Sequence, residues 1–429
     1  MKIYYENKLT KEEHISLLRR PSALKSDTGQ IVQEVCLAIK QRGDNAVREY
    51  NKKFDNAEVQ ALRVSAEELE AAKDSLSAKF LGALNIAIKN IRTFHESQLN
   101  KAQRITTMEG VVCWREARPI ERVGLYVPAG SAPLPSTVLM LGIPAVIAGC
   151  SRIILCSPPK INGSVDPLVL AAAAMIGIDE VYKVGGAQAI AAMAYGTETI
   201  PKVDKIFGPG NRYVTAAKQF VSTDPEGAAI DLLAGPSEVL ILSDETANPD
   251  IVAYDLLSQA EHDADSQAVL VTTSELLAKE VLRVLPQRAS EFPRNKIVES
   301  SLEHSYIFVA DSFESAVRFS NDYAPEHLII NMQNAEAIIP SIINAGSVFV
   351  GSFAPVTAGD YASGTNHTLP TSGTTRWASG VSLDSFLKNV TFQSITKSGL
   401  ESLAPTLTAF ASVEGLQAHA RAVTSRLSK

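Results

Sequence analysis

Two doubly wound α/β domains, one inserted in the other, are the fold that the residues predict. Three observations carry this. From residue 111 to residue 350, apolar runs of about four to six residues alternate with helical segments of about a dozen, the rhythm of strand–helix–strand units with largely parallel sheets. The ten runs, at 111–114, 123–127, 152–156, 180–183, 205–207, 239–242, 268–272, 306–310, 328–331 and 347–350, are too many for one comfortable sheet. Two Gly/Pro-rich stretches, YVPAGSAP from Tyr126 and LAGPSE around Pro236, mark where the chain would cross between units.

Before this region the residues read as helical scaffold. Thr10 with Glu13 forms a capping box that opens a short helix ended by Pro21. Residues 30–50 carry Val32, Val35, Cys36 and Ile39 at helical spacing, and a second box, Ser65 with Glu68, starts a long helical stretch to about residue 98. After Gly351 the alternation stops. Residues 359–373 form a polar loop suited to binding. A final helix carries Val413, Leu416, Ala420, Val423 and Leu427 in a seam that packs on a neighbour.

Composition narrows the function. An apolar content of 45% and a charged content of 20% over 429 residues describe an ordinary globular protein with room for more than one core. The net charge of −7 argues against nucleic acid or a membrane surface as the main partner. The start, MKIYYENKLTKEE, has no apolar h-region, and Cys36, Cys113, Cys150 and Cys156 show no disulfide spacing, so the expected location is cytoplasmic.

Four places could carry chemistry. In NPDIVAYDLLSQAEHDAD, Asn248 caps a helix, Pro249 and Asp250 suit its first turn, and Asp255, Gln259 and His262 share one face. A solvated face explains that pattern, and so does a metal ion shared by Gln259 and His262. Glu326 and His327 stand side by side after Pro325. On a regular strand they would point to opposite faces, so joint proton chemistry needs an irregular backbone, at the mouth of a sheet where α/β sites lie. The plainer reading is a surface Glu beside a half-buried His. The loops Gly185–Gln188 and Phe207–Asn211 place backbone N–H groups at helix starts, as an anion site would, yet neither is G-x-G-x-x-G and no P-loop occurs. Asp360 in a small-residue loop is either a turn former or a ligand, and His419 either a packed helix residue or a ligand.

Taken together, GLYVPAGSAPLPSTVLML, VGGAQAIAA, KVDKIFGPGN, IDLLAGPSEVL, DLLSQAEH, APEHLII and AGDYASGTNHTLPT resemble the histidinol dehydrogenase family, in that family's order and over nearly the whole chain. The resemblance implies a zinc-dependent, four-electron oxidation of L-histidinol to L-histidine through bound L-histidinal, the last two steps of histidine biosynthesis, with two NAD per turnover. It places Zn2+ on Gln259, His262, Asp360 and, from the partner of a homodimer, His419. It makes His327 the general base and Glu326 the water-activating residue. Substrate contacts would be Ser237 and Glu414 together with His327 and the metal ligands, and dinucleotide contacts Tyr126, Gln188 and Asn211. The implied domains are incomplete Rossmann-like units: a helical segment 1–24, a main domain 25–125 and 236–378 with the catalytic and metal residues, an inserted domain 126–235, and a C-terminal segment 379–429, the terminal segments packing across a dimer. Ala129 stands where the family often has glycine, and a positive φ there would strain it. Glu414 and His419 reach one site if Glu414 precedes the helix, as Gly415 suggests. A zinc hydrolase using a Glu/His-activated water is the alternative enzyme reading, and a two-lobed binding protein the non-catalytic one.

Overall fold

A strand that is apolar at successive positions needs cover on both faces, and two parallel sheets obtain it here from helices. The structure is a computed structural model describing residues 1–20, 28–99, 102–129, 133–233 and 235–428. The expected helix stop at Pro21 and part of each Gly/Pro-rich crossing, at 130–132 and 234, lie outside the described residues. In chain order the strands are β1 (Lys2–Tyr5), β2 (Arg104–Met108), β3 (Val111–Pro119), β4 (Arg122–Tyr126), β5 (Arg152–Ser157), β6 (Glu180–Lys183) and β7 (Lys205–Phe207). They continue as β8 (Ala229–Ile230), β9 (Glu238–Ser243), β10 (Gln267–Thr272), β11 (Tyr306–Val309), β12 (His327–Asn331), β13 (Ser347–Val350) and β14 (Leu387–Ile395).

Two of the sheets are parallel, a six-stranded one in the order β1-β11-β10-β9-β12-β13 and a five-stranded one in the order β6-β5-β4-β7-β8. The third, β14-β3-β2, is antiparallel. All ten expected runs form strands, but 111–114 extends to Pro119 and belongs to the antiparallel sheet. Its partner β14 was not expected. Most residues of β14 are exposed, so its sequence lacks a buried face to announce it.

Each parallel sheet is covered on both sides. Val239 and Ile241 pack into one apolar cluster and Leu240 and Leu242 into another, as the two-residue period of a strand requires. The five-stranded sheet divides likewise, with Val123 and Leu125 on one face and Ile154 and Cys156 on the other. Within segment 25–125, expected to join residues 236–378, the helices between 28 and 96 pack on the five-stranded sheet. Val32, Val35 and Ile39 share a core with Ile154 and Ile190, and Leu84 and Ile91 share one with Leu139. These helices supply the cover that the insert's own helices leave incomplete. Since β1 pairs with β11, the insertion falls between β1 and β9.

Helix boundaries follow local chemistry. Both capping boxes form, at Thr10 and Ser65. Segment 30–50 is two helices, Thr28–Arg42 and Asp44–Asp55, broken at Gly43 with φ 51°. The stretch from 65 to 98 is also two, because Ser77 starts Ala78–Glu96 by accepting from the Phe80 N–H. The expected C-terminal seam does not lie on one helix: Lys397–Val413 ends, Gly415 turns the chain at φ 72°, and Gln417–Leu427 begins. Phe410 and Val413, 66% and 89% exposed, remain uncovered on that hairpin.

Candidate active site

The helix Pro249–Ala260 starts as its sequence requires, with the Asn248 side chain accepting from the Asp250 N–H. Gln259 falls in its last turn, buried, with an amide Nε2 that has no hydrogen-bond partner. His262 sits just past the helix end, its N–H donating to the Gln259 carbonyl at 3.3 Å. His262 is an exposed residue, and the protein around it still lowers its pKa by desolvation. Asp255 on the same face is pushed up to about 6 by burial.

Glu326 and His327 lie at the amino end of β12, not at the carboxyl end where α/β sites usually gather. Just before the pair, Ala324 ends the preceding helix at φ 54°, a left-handed conformation that costs a non-glycine residue of order 1 kcal/mol. Both side chains are buried. The Glu326 Oε2 accepts from the Glu238 N–H at 2.8 Å, and the His327 Nδ1 meets the Glu238 carbonyl at 3.1 Å. A carbonyl can only accept, so Nδ1 carries the proton and Nε2 keeps its lone pair. That Nε2 is buried without a hydrogen-bond partner, 3.9 Å from the Asp360 Oδ1. Burial pushes the His327 pKa down to about 4 and holds the Glu326 carboxyl well above the usual carboxylate range.

Asp360 belongs to a short helix, Val356–Tyr361, and not to a loop. Burial pushes its carboxyl up to about 7. The segment after it is anchored on both units: the His367 Nδ1 bonds the Asp360 carbonyl at 2.9 Å, and Asn366 donates to the Met140 carbonyl at 2.6 Å. The Thr371 hydroxyl accepts from the Gly235 N–H, beside Ser237, which is half-buried just before β9. Among the described residues no group of three His, Cys, Asp or Glu side chains is arranged to hold a metal ion.

At the five-stranded sheet the relevant edge is the carboxyl end. Order reverses between β4 and β7, the switch point where such sheets bind ligands. Tyr126 ends β4, and its hydroxyl accepts from the Gly186 N–H at 3.1 Å. Gly208 follows β7 at φ 125°, so close that a Cβ there would stand 2.1 Å from the Tyr126 carbonyl oxygen. Gln188 is buried and donates to Asp55 at 3.2 Å, whereas Asn211 is exposed and caps its own helix through the Tyr213 and Val214 N–H groups. Ala129 is not among the residues with positive φ, so the strain it would carry in that conformation does not arise.

A sequence model described as histidinol dehydrogenase matches residues 18–427. The chain belongs to the histidinol dehydrogenase family. It is 50% identical to the histidinol dehydrogenase of Bacteroides thetaiotaomicron, covering 97% of both chains. With that of Vibrio parahaemolyticus the identity is 49%, over 98% of this chain and 97% of the relative. The crystal structure of histidinol dehydrogenase from Elizabethkingia anophelis superposes with a TM-score of 0.96 at 51% identity, over 100% of this chain and 98% of that one. As a member of this family the chain is an oxidoreductase.

Within one chain, Glu326, His327, Asp360 and His262 converge, and His262 lies near enough to His327 to lower its pKa. His419 and Glu414 do not join them. Both are exposed on the C-terminal hairpin, Glu414 just before the turn at Gly415, and among the described residues no hydrogen bond or ion pair links either to the cluster. Sequence reasoning missed Glu238 and Arg20. The acidic residue inside the apolar run EVLIL was the available signal, because a buried carboxylate needs a partner.

Proposed function

We propose that the chain oxidises L-histidinol to L-histidine through bound L-histidinal, using two NAD and one Zn2+, as a cytoplasmic homodimer. The observation that carries this reading is His327: a buried imidazole with Nδ1 committed to a carbonyl and Nε2 unpartnered beside Asp360. It is a base fixed in one tautomer.

The donor set fits a metal. The unpartnered buried amide of Gln259, turned over, offers its oxygen in place of the nitrogen, and His262 and Asp360 add a nitrogen and a carboxylate. The helix start at Gly186, beside the switch point of the five-stranded sheet, suits the anionic part of a dinucleotide. When bound, zinc would hold the substrate through its imidazole and amino nitrogens, and NAD would accept the two hydrides. The residues divide the proton work. His327 Nε2 takes the hydroxyl proton as the alcohol becomes the aldehyde. Glu326 takes a proton from the water that adds to the aldehyde carbon. His327, after giving up the first proton to solvent, takes the hydrate's hydroxyl proton as that carbon is oxidised to the carboxylate. Desolvation strengthens the Glu326 carboxylate as a base once it has lost its proton. Exposed Phe410 and Val413 favour a dimer, which would bring the partner's His419 and Glu414 to the site.

The test is NADH formation from L-histidinol and NAD by zinc-loaded protein, with the product identified. About two NADH per histidine are expected for a four-electron oxidation. Zinc-bound dimer that forms no NADH would overturn the reading and bring the hydrolase alternative forward.

A further inference from the structure

Among the described residues, the hydrogen bonds of the Glu326 and His327 side chains lead to one residue, Glu238. Glu238 and Glu326 exchange bonds: the Glu238 N–H donates to the Glu326 Oε2 at 2.8 Å, and the Glu326 N–H donates to the Glu238 Oε1 at 3.3 Å. The His327 Nδ1 donates to the Glu238 carbonyl. The Glu238 side chain, 1% exposed, is held in turn by Arg20, with Nε 2.8 Å from Oε2 and Nη2 2.8 Å from Oε1. This is the two-toothed geometry that a guanidinium imposes on a carboxylate. Arg20 also donates to the Tyr323 carbonyl at 2.6 Å and the Ala324 carbonyl at 3.3 Å, and its guanidinium lies 3.5 Å from the centre of the Tyr323 ring. It therefore grips both the carboxylate behind Glu326 and the left-handed residue two positions before Glu326.

Simple strand joining does not require this arrangement. β9 and β12 are already paired from Val239 with His327 to Ser243 with Asn331. Two carboxylates placed together in a buried site repel, and without Arg20 the Glu238 charge would be unpaired there. A buried ion pair gives little net stability over an apolar pair of the same shape, so its use here is sought in geometry.

We propose that Glu238, clamped by Arg20, is a positioning residue that aims the Glu326 carboxyl at the attacking water and keeps the His327 ring in register with it. The proposal rests on the reading of Glu326 as the water-activating group. A displacement of about 1 Å in such a group costs on the order of a hundredfold in rate.

A double-mutant cycle tests it, with kcat and KM measured separately for L-histidinal and L-histidinol, and with zinc content and thermal unfolding as controls. Glu238→Gln is expected to lower kcat for L-histidinal roughly tenfold to a hundredfold while KM and zinc content stay within about twofold. Added to Glu326→Gln, the same change should cost several-fold less than it does alone, because the part that passes through the Glu326 carboxylate is already lost and only the part through the His327 ring remains. Arg20→Lys, which keeps the charge and loses the fork, should fall between wild type and Arg20→Gln. If Glu238→Gln fails to fold, the cycle is run with Arg20→Lys. An equal loss from Glu238→Gln in both backgrounds, or a loss confined to KM or to thermal stability, overturns the positioning role. If Glu326→Gln alone leaves L-histidinal oxidation intact, the water-activating reading falls first, and the proposal with it.

Discussion

The carboxyl ends of β4 and β7 and the amino ends of β9 and β12 are built from different materials. The first edge offers backbone: Gly186 and Gly208, helix starts, and a tyrosine hydroxyl already bound to a main-chain N–H. The second offers side chains whose protonation burial has shifted, Glu326, His327 and Asp360. An anionic cofactor needs close approach and N–H dipoles, which many sequences can provide, so no standard fingerprint is required. Proton transfer needs particular groups with tuned pKa values at hydrogen-bond distance, which few sequences provide.

The contrast can be broken at several points. Replacing His327 with Asn should lower both oxidations by about 10² to 10⁴-fold, whereas Glu326→Gln should impair the aldehyde step alone. Single-turnover rates from L-histidinol and L-histidinal separate the two, and equal slowing by Glu326→Gln would remove the division of labour. His262→Ala or Asp360→Ala should reduce zinc content and activity together, by several kcal/mol of transition-state stabilisation, on the order of a hundredfold or more. Full activity in a metal-free variant would sink the zinc assignment. Mixing inactive His262 and His419 variants should restore some activity if the partner completes the site, since a hybrid dimer keeps one site with both native ligands.

At the other edge the effects are smaller and fall on the cofactor. Gly208→Ala forces a Cβ toward the Tyr126 carbonyl and should raise KM for NAD, by an affinity loss of order 1–3 kcal/mol, with little change in zinc binding. An unchanged KM would detach this loop from the dinucleotide. The smallest expected effect is on stability against pH in metal-free protein, and it has opposite signs at the two edges. Burial raises Asp55, beside Gln188, from 3.8 to about 6. The folded state therefore holds an extra proton between those values, and stability falls as pH rises through them. His367 is lowered from 6.5 to about 4, so its contribution is complete above 6.5 and is lost as pH falls toward 4. Asp55→Asn and His367→Gln should each flatten one limb of the urea midpoint measured against pH. A midpoint curve that neither variant changes would show that these groups titrate alike in the folded and unfolded chains.

Much of this was legible in the residues. The ten strand runs, both capping boxes, the Asn248-capped helix with Gln259 and His262, and the Glu326–His327 pair all follow from periods, caps and residue types within short windows. The family resemblance rests on the same local segments. Local patterns also have limits, which Gly43 and Ser77 show by splitting helices that apolar spacing alone would run together.

Only the tertiary structure decided what depends on residues far apart in the chain. It assigned residues 28–96 to the five-stranded sheet, because burial of Ile39 and Ile91 is settled by which sheet lacks cover. It put the reactive pair at the amino ends of the strands, beside a left-handed Ala324 that Arg20 holds from 304 positions away. It also joined Arg20 to Glu238 and Glu238 to Glu326, as unpaired charges in a low-dielectric interior demand. A window of sequence records what a residue prefers; which partner neutralises a buried charge is a property of the packed whole.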